Sequence, residues 1–134
     1  MSTIRTLAPY LRSLLRVIVG FTFSLHGMQK LLGFFGGMGG KGGTVPFGSL
    51  LWFAGGLELI GGLLIFLGLF TSPVAFILSG EMAVAYFRAH FPRGVNPLLN
   101  HGELAVLYCF IFLYLCIAGA GPLSLDSLIR KKSS

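Results

Sequence analysis

The sequence predicts an all-α membrane domain, an up-down bundle of four transmembrane helices with both termini cytoplasmic. Three observations predict it. Apolar segments near the length of a membrane span recur between clear breaks. At 54% hydrophobic and only 10% charged, with a mean hydropathy of +0.85, a chain of 134 residues has too little polar surface to coat a soluble globule. Three of the four acidic residues, Glu58, Glu81 and Glu103, lie in separate apolar segments. An acidic side chain at the centre of a membrane helix costs roughly 2.5–3.5 kcal/mol, whereas a Leu or Phe returns only about 0.3–0.6 kcal/mol. Such residues therefore call for partners and a reason to be there.

The first span is expected over residues 13–31 and the second over 49–70, each close to the roughly 20 residues that cross a hydrocarbon core of about 30 Å. Thr71-Ser72-Pro73 breaks the chain, and Pro73 suits the first turn of a third helix over 73–87. With about 15 residues and Glu81 inside it, that third segment also fits a partly re-entrant element. The fourth span covers 101–119 and stops at Gly119-Ala120-Gly121-Pro122. The whole of 1–134 reads as one membrane domain. The connection at 33–48 holds eight glycines and is expected to be a flexible external loop. It is not a phosphate cradle, because Gly42 stands where a P-loop needs Ser or Thr after Lys41.

The ten cations, giving a net charge of +6, gather at segment ends rather than on one face, which argues for lipid headgroups as partners and against nucleic acid. Arg5, Arg12 and Arg16 precede an apolar run, but no small-residue cleavage site follows, so the first segment is expected to be retained as an anchor. Four crossings put Arg5, Arg12, Arg16, Arg130, Lys131 and Lys132 on one side, against Lys30, Lys41, Arg88 and Arg93 on the other. The excess places both termini in the cytoplasm.

In an up-down bundle, the ends of helices one and three share a membrane face with the beginnings of helices two and four. That face collects His26, Gln29, Lys30, Glu58, Glu81, Arg88, Asn100 and Glu103, a candidate polar pocket in the outer leaflet. Glu58 and Glu81 lie roughly 10–12 Å below the surface at about 1.5 Å per residue, with Lys30 and Arg88 the natural counter-charges. His26, Gln29 and Lys30 share one helical face. Gly55, Gly61 and Gly62 surround Glu58 on a small-residue stripe suited to close helix packing.

Simpler readings stand beside these. Asn100 and Glu103 have the spacing of a capping box at the start of helix four. His26 and Lys30 suit an interfacial anchor, and Glu58 a purely structural interhelical pair. Trp52, Tyr86, Phe87, Phe91 and Tyr108 look like an aromatic belt, beside which His90 and His101 are expected to be solvated. No metal site is expected, for the histidines and glutamates show no Glu-x-x-His or His-x-x-x-His pair. Cys109 and Cys116, seven residues apart, stand about 10 Å apart along a helix, beyond the roughly 7 Å reach of a disulfide.

The strings HGMQKLLGFFGG, LLWFAGGLELIGGLLIFLGLFT, GEMAVAYFRAHFPRGVNPLLNHGELAVLYCFIFLYL and GPLSLD together resemble the DoxX family of small bacterial membrane proteins, over about residues 14–126. The resemblance implies a multi-pass inner-membrane protein and highlights His26, Gly27, Gln29, Lys30, Glu58, Gly61, Gly62, Asn100 and Glu103. This chain departs from the family pattern at Thr71-Ser72, where Thr-Arg is frequent, and at Asn100-His101-Gly102-Glu103, where Asn-Gly-Gly-Glu is frequent. The family is named for its similarity to the small subunit of an archaeal thiosulfate:quinone oxidoreductase. The resemblance therefore implies an accessory subunit of a quinone-linked oxidoreductase, with a bound quinone as the candidate ligand and other membrane subunits or further copies of the chain as partners. No haem, flavin, nucleotide or iron–sulfur motif is present, so no intrinsic cofactor is expected. The alternative is a standalone binder or carrier of a small amphipathic molecule, coupled to protons through Glu58 and Glu81.

Overall fold

The computed structural model describes residues 2–133, whose regular structure is helical. Helix α1 spans Ser2–Leu32, α2 Leu50–Leu67, α3 Thr71–Ala85, α4 Glu103–Ala118 and α5 Leu125–Ser133. Two compact units result, Met1–Thr71 with Ala120–Ser134, and Ser72–Gly119.

In the first unit α1 and α2 pack antiparallel along a seam of small residues. Helix α1 turns Ser13, Arg16, Gly20, Phe23, Ser24 and Gly27 inward, at the spacing of one helical face, while Leu14, Ile18 and Phe21 stay exposed. A side chain at Gly20 would strike the backbone of Gly62 and Phe66, one at Gly27 that of Gly55 and Leu59, and one at Gly62 that of Ser24. Backbone therefore meets backbone, the close approach that small residues permit between membrane helices. Gly55 and Gly62 are spent on this seam, so the small-residue stripe read from the sequence packs against the chain's own α1.

Several boundaries differ from expectation. Helix α1 begins at Ser2, well ahead of residue 13, and runs through Pro9. Helix α2 begins on Ser49, whose Oγ accepts from Trp52 N at 3.2 Å, and ends before residue 70 because Gly68 takes a left-handed φ of 69°. Among the described residues, α2 alone is by itself long and apolar enough to cross a membrane; α1 carries Arg5, Arg12, Arg16 and Lys30, and α3 and α4 have 15 and 16 residues. Helix α5 was not expected at all. Its LDSLIRKK pattern is too short and too charged to register as a span.

The glycine-rich connection is built of turns. Gly42 N donates to Gly36 O at 2.6 Å and Met38 N to Gly43 O at 3.0 Å, and Val45, buried, donates its N–H to Lys30 O at 3.0 Å. The last bond satisfies a carbonyl orphaned at the end of α1.

Arg16 is 1% exposed, although its charge suggested a headgroup contact. Its Nε donates to Ala120 O at 2.9 Å, Nη1 to Ile65 O at 2.7 Å and Phe66 O at 2.5 Å, and Nη2 to Leu123 O. One guanidinium thus serves carbonyls at the C-terminal end of α2, Ile65 O beside its bond from Gly68 N, together with those of the segment after Gly119. Ser13 Oγ joins the same segment, accepting from Leu123 N at 3.1 Å. Nearby, Asp126 Oδ1 accepts from Phe70 N at 2.8 Å and Oδ2 from Thr71 N at 2.9 Å, which caps the start of α3.

The second unit is a helical hairpin, α3 and α4, in which Ser79 Oγ donates to Cys109 O at 2.8 Å. Both cysteines are free thiols.

Gly62→Leu should lower the thermal midpoint of the detergent-solubilised protein, followed by circular dichroism, at a cost of about 1–3 kcal/mol from overpacking. Gly80 meets nothing within 4 Å, so Gly80→Ala should hold or raise that midpoint. Arg16→Lys keeps the charge but cannot reach four carbonyls with a fork, and should cost roughly 2 kcal/mol or more in the same measurement.

Candidate functional site

The polar residues of the first unit gather where α1 ends and α2 begins its third turn. Lys30 and Gln29 close α1, one turn beyond His26, and each is half-buried. Helix α2 does not pass Glu58 as a regular α-helix. Leu57–Gly61 forms a single π-helical turn, a local widening that inserts an extra residue into the turn and re-aims the side chains it carries. Glu58, 4% exposed, lies on this turn, and its Oε2 accepts a hydrogen bond from Lys30 Nζ at 2.5 Å.

This is a charge-assisted pair, stronger than a neutral hydrogen bond and scarcely screened, because Glu58 is out of solvent. Removing either partner leaves a buried charge without compensation. Gly55 makes the approach feasible, since a side chain there would press on Lys30 Cβ and the Leu31 side chain at 3.1 Å. His26 lies within electrostatic reach of both charges, and its ring stands 6.5 Å from that of Phe23. One ammonium, one carboxylate and one imidazole are thus held near one another at one end of the α1–α2 seam.

The remaining candidates belong to the second unit. Glu81 is half-buried on α3, Arg88 is exposed on a π-helical extension at Tyr86–His90, and Glu103 is exposed in the first turn of α4. The capping-box reading of Asn100 and Glu103 does not hold. His101 adopts a left-handed φ of 60°, the chain enters α4 two residues later than that spacing requires, and Gly102 is the cap residue. Asn100, 1% exposed, instead organises the α3–α4 connection. Its Nδ2 donates to Gly94 O at 2.9 Å and Tyr86 Oη at 3.2 Å, and its Oδ1 accepts from Gly102 N at 2.8 Å. His90 Nδ1 donates to Asn100 O at 3.1 Å and its ring stacks beside Tyr86, so His90 is a bonded part of this connection rather than a solvated side chain. A side chain at Gly102 would collide with Tyr86 and His90 at 2.7 Å.

Two polar residues escaped the sequence reading, Arg16 and Asp126. Arg16 was counted with the flanking cations, although its position three residues after Ser13 and four before Gly20, on the small-residue face, was a usable sign. Asp126 follows a Gly-Pro break, and nothing in its local sequence points to Phe70 and Thr71. Among the described residues no three His, Cys, Asp or Glu side chains approach one another closely enough to hold a metal ion.

The chain is 44% identical over 135 residues to an uncharacterised protein of Haemophilus influenzae, covering 98% of this chain and all of that one. It is 32% identical over 125 residues to the inner membrane protein YqjF of Escherichia coli, covering 87% and 90% of the two chains. It is 30% identical over 124 residues to CatD of Bacillus subtilis, a protein provisionally described as an oxidoreductase, covering 88% and 86%. No solved structure matches. The DoxX family model matches residues 11–91, which hold the α1–α2 seam, the Lys30–Glu58 pair and all of α3, and the chain belongs to the DoxX family.

Proposed function

We propose that this protein is a multi-pass subunit of the bacterial inner membrane, with four crossings and both termini in the cytoplasm, that serves a quinone-linked oxidoreductase or a related larger membrane complex through an outer-leaflet polar pocket. The observation that carries the proposal is the buried Lys30–Glu58 pair on a π turn, inside a helix whose outer surface is apolar. A charge pair in such surroundings costs desolvation energy that a pair of leucines would avoid, and a π turn breaks helix regularity exactly where the carboxylate stands. Both features are common marks of a site.

The donor set suits a quinone headgroup. A quinone oxygen accepts hydrogen bonds, and the Lys30 ammonium has three donors, of which Glu58 takes one. Glu58 holds that ammonium in place, and His26 adds a group able to hold or release a proton beside them. A quinone, when bound, would supply the electron chemistry; this chain's residues bind, orient and carry protons. The names of two relatives support the setting, one an inner membrane protein and the other an oxidoreductase by provisional description. Exposed apolar side chains on every helix, such as Ile18, Phe53, Phe76 and Ile117, suit lipid contact or neighbouring subunits. Orientation rests on Arg5, Arg12, Arg130, Lys131 and Lys132 against Lys41, Arg88 and Arg93, now that Arg16 and Lys30 are accounted for inside the fold.

Native mass spectrometry of the protein taken from its own membrane in mild detergent tests this reading. Stoichiometric partner subunits and a retained quinone are expected; a lone chain or homo-oligomer holding a different small molecule would favour a standalone binder or carrier. Glu58→Gln should reduce quinone retention at least tenfold. It strands the Lys30 charge, at a cost of about 3–5 kcal/mol, so stability is followed in parallel. The double variant Lys30→Met with Glu58→Leu should recover most of that stability without recovering the quinone. Retention of the quinone in both variants would rule out the pocket.

A further inference from the structure

Helix α5 has no part in the polar pocket, and its construction points elsewhere. Its nine residues, about 13 Å long, cannot cross a bilayer. They divide sharply by chemistry. Leu128 and Ile129 are 54% and 53% exposed, with Leu123 just before the helix 64% exposed, and Arg130, Lys131 and Lys132 follow at its end. Its one acid, Asp126, accepts from the N–H groups of Phe70 and Thr71, and the exposed cationic end stands beside an uncovered apolar face.

The helix is also anchored rather than trailing. Asp126 N donates to Gly68 O at 2.8 Å, and Leu123 is tied to Ser13 and Arg16. These contacts hold the start of α5 at the turn that ends α2, the level at which a spanning helix leaves the hydrocarbon. Helix α1 carries Arg12 at the same level, next to Ser13. Arg12 is half-buried there, a further cation close to the end of α2.

We propose that α5 is an interfacial helix that binds anionic phospholipid, with Leu128 and Ile129 entering the acyl boundary and Arg130, Lys131 and Lys132, helped by Arg12, holding phosphate headgroups. The charge complementarity selects the occupant. An apolar face bordered by cations fits the boundary between acyl chains and anionic headgroups, where a helix with this division of faces lies in the plane of the membrane. The inference rests on the membrane reading given above, but not on the pocket, the quinone or the orientation.

The test uses the full chain with Trp52→Phe, reconstituted into bilayers containing lipids brominated near the headgroup, with a single tryptophan introduced by Ile129→Trp. Bilayers of phosphatidylcholine alone are compared with bilayers containing phosphatidylglycerol. Quenching at least twofold stronger with phosphatidylglycerol is expected, falling to the phosphatidylcholine level when Arg130, Lys131 and Lys132 are all replaced by Gln. No quenching in phosphatidylglycerol, or equal quenching in both bilayers regardless of the Gln replacements, would overturn the proposal. Phe110→Trp, at an exposed apolar position of α4, is the control when measured with lipids brominated along the acyl chain. If it is quenched while Ile129→Trp is not, only the interfacial helix fails. If Phe110→Trp is also unquenched, the membrane reading fails with it.

Discussion

A buried guanidinium that satisfies four carbonyls is the constraint on which the first unit depends. Helix ends leave carbonyls without partners, and in an apolar surround each such group costs several kcal/mol if nothing reaches it. Arg16 reaches the last carbonyls of α2 and those of Ala120 and Leu123 at once, with the fork geometry that lysine lacks. Its own charge is compensated by those dipoles and by the field of Asp126. Once α1 is pinned to α2 at this end, the glycine seam sets the register along the rest of the pair. At the far end, that register puts Lys30 opposite Glu58.

The seam and the charge pair are consequences of the same economy. Gly20, Gly27 and Gly62 allow backbone to approach backbone, so little room remains for side chains between the helices. Where α2 widens into its π turn, the spacing changes, and a carboxylate fits against the ammonium at the end of α1. A regular helix would present a different residue at that point. The irregularity and the charge are therefore best understood together.

Much of this was legible in the sequence because it depended on local signals. The break at Thr71-Ser72-Pro73 marks the start of α3, and the cost of burying Glu58 points to Lys30 and Arg88 as the available counter-charges, of which Lys30 is the partner. What was not legible depended on non-local bonds. Asn100 and Glu103 carry the spacing of a capping box, but a left-handed His101 and the hold of Asn100 on Tyr86 and Gly94 move the helix start. Arg16 reads as a flanking cation, and its place on the small-residue face hints at burial without pointing to the distant carbonyls it meets. Helix α5 hides for a different reason: nine residues carry too little periodicity to separate an amphipathic helix from a charged tail. The number of membrane crossings likewise depends on more than the sequence windows, since α1 is long but charged and α3 and α4 are apolar but short.

The tie between Arg16 and the segment around Ala120 has a consequence for biosynthesis. Arg16 is made before all four of the carbonyls that compensate it, and two of them, at Ala120 and Leu123, follow it by 104 and 107 residues. While α2, α3 and α4 are being made, the guanidinium has at most the end of α2 to bind, and it must otherwise stay hydrated. Closure of the first unit is thus deferred until Leu123 has been added. A chain interrupted after α4 would retain the apolar span of α2 and still expose a cation short of two carbonyls, the kind of defect by which quality control can recognise an unfinished protein.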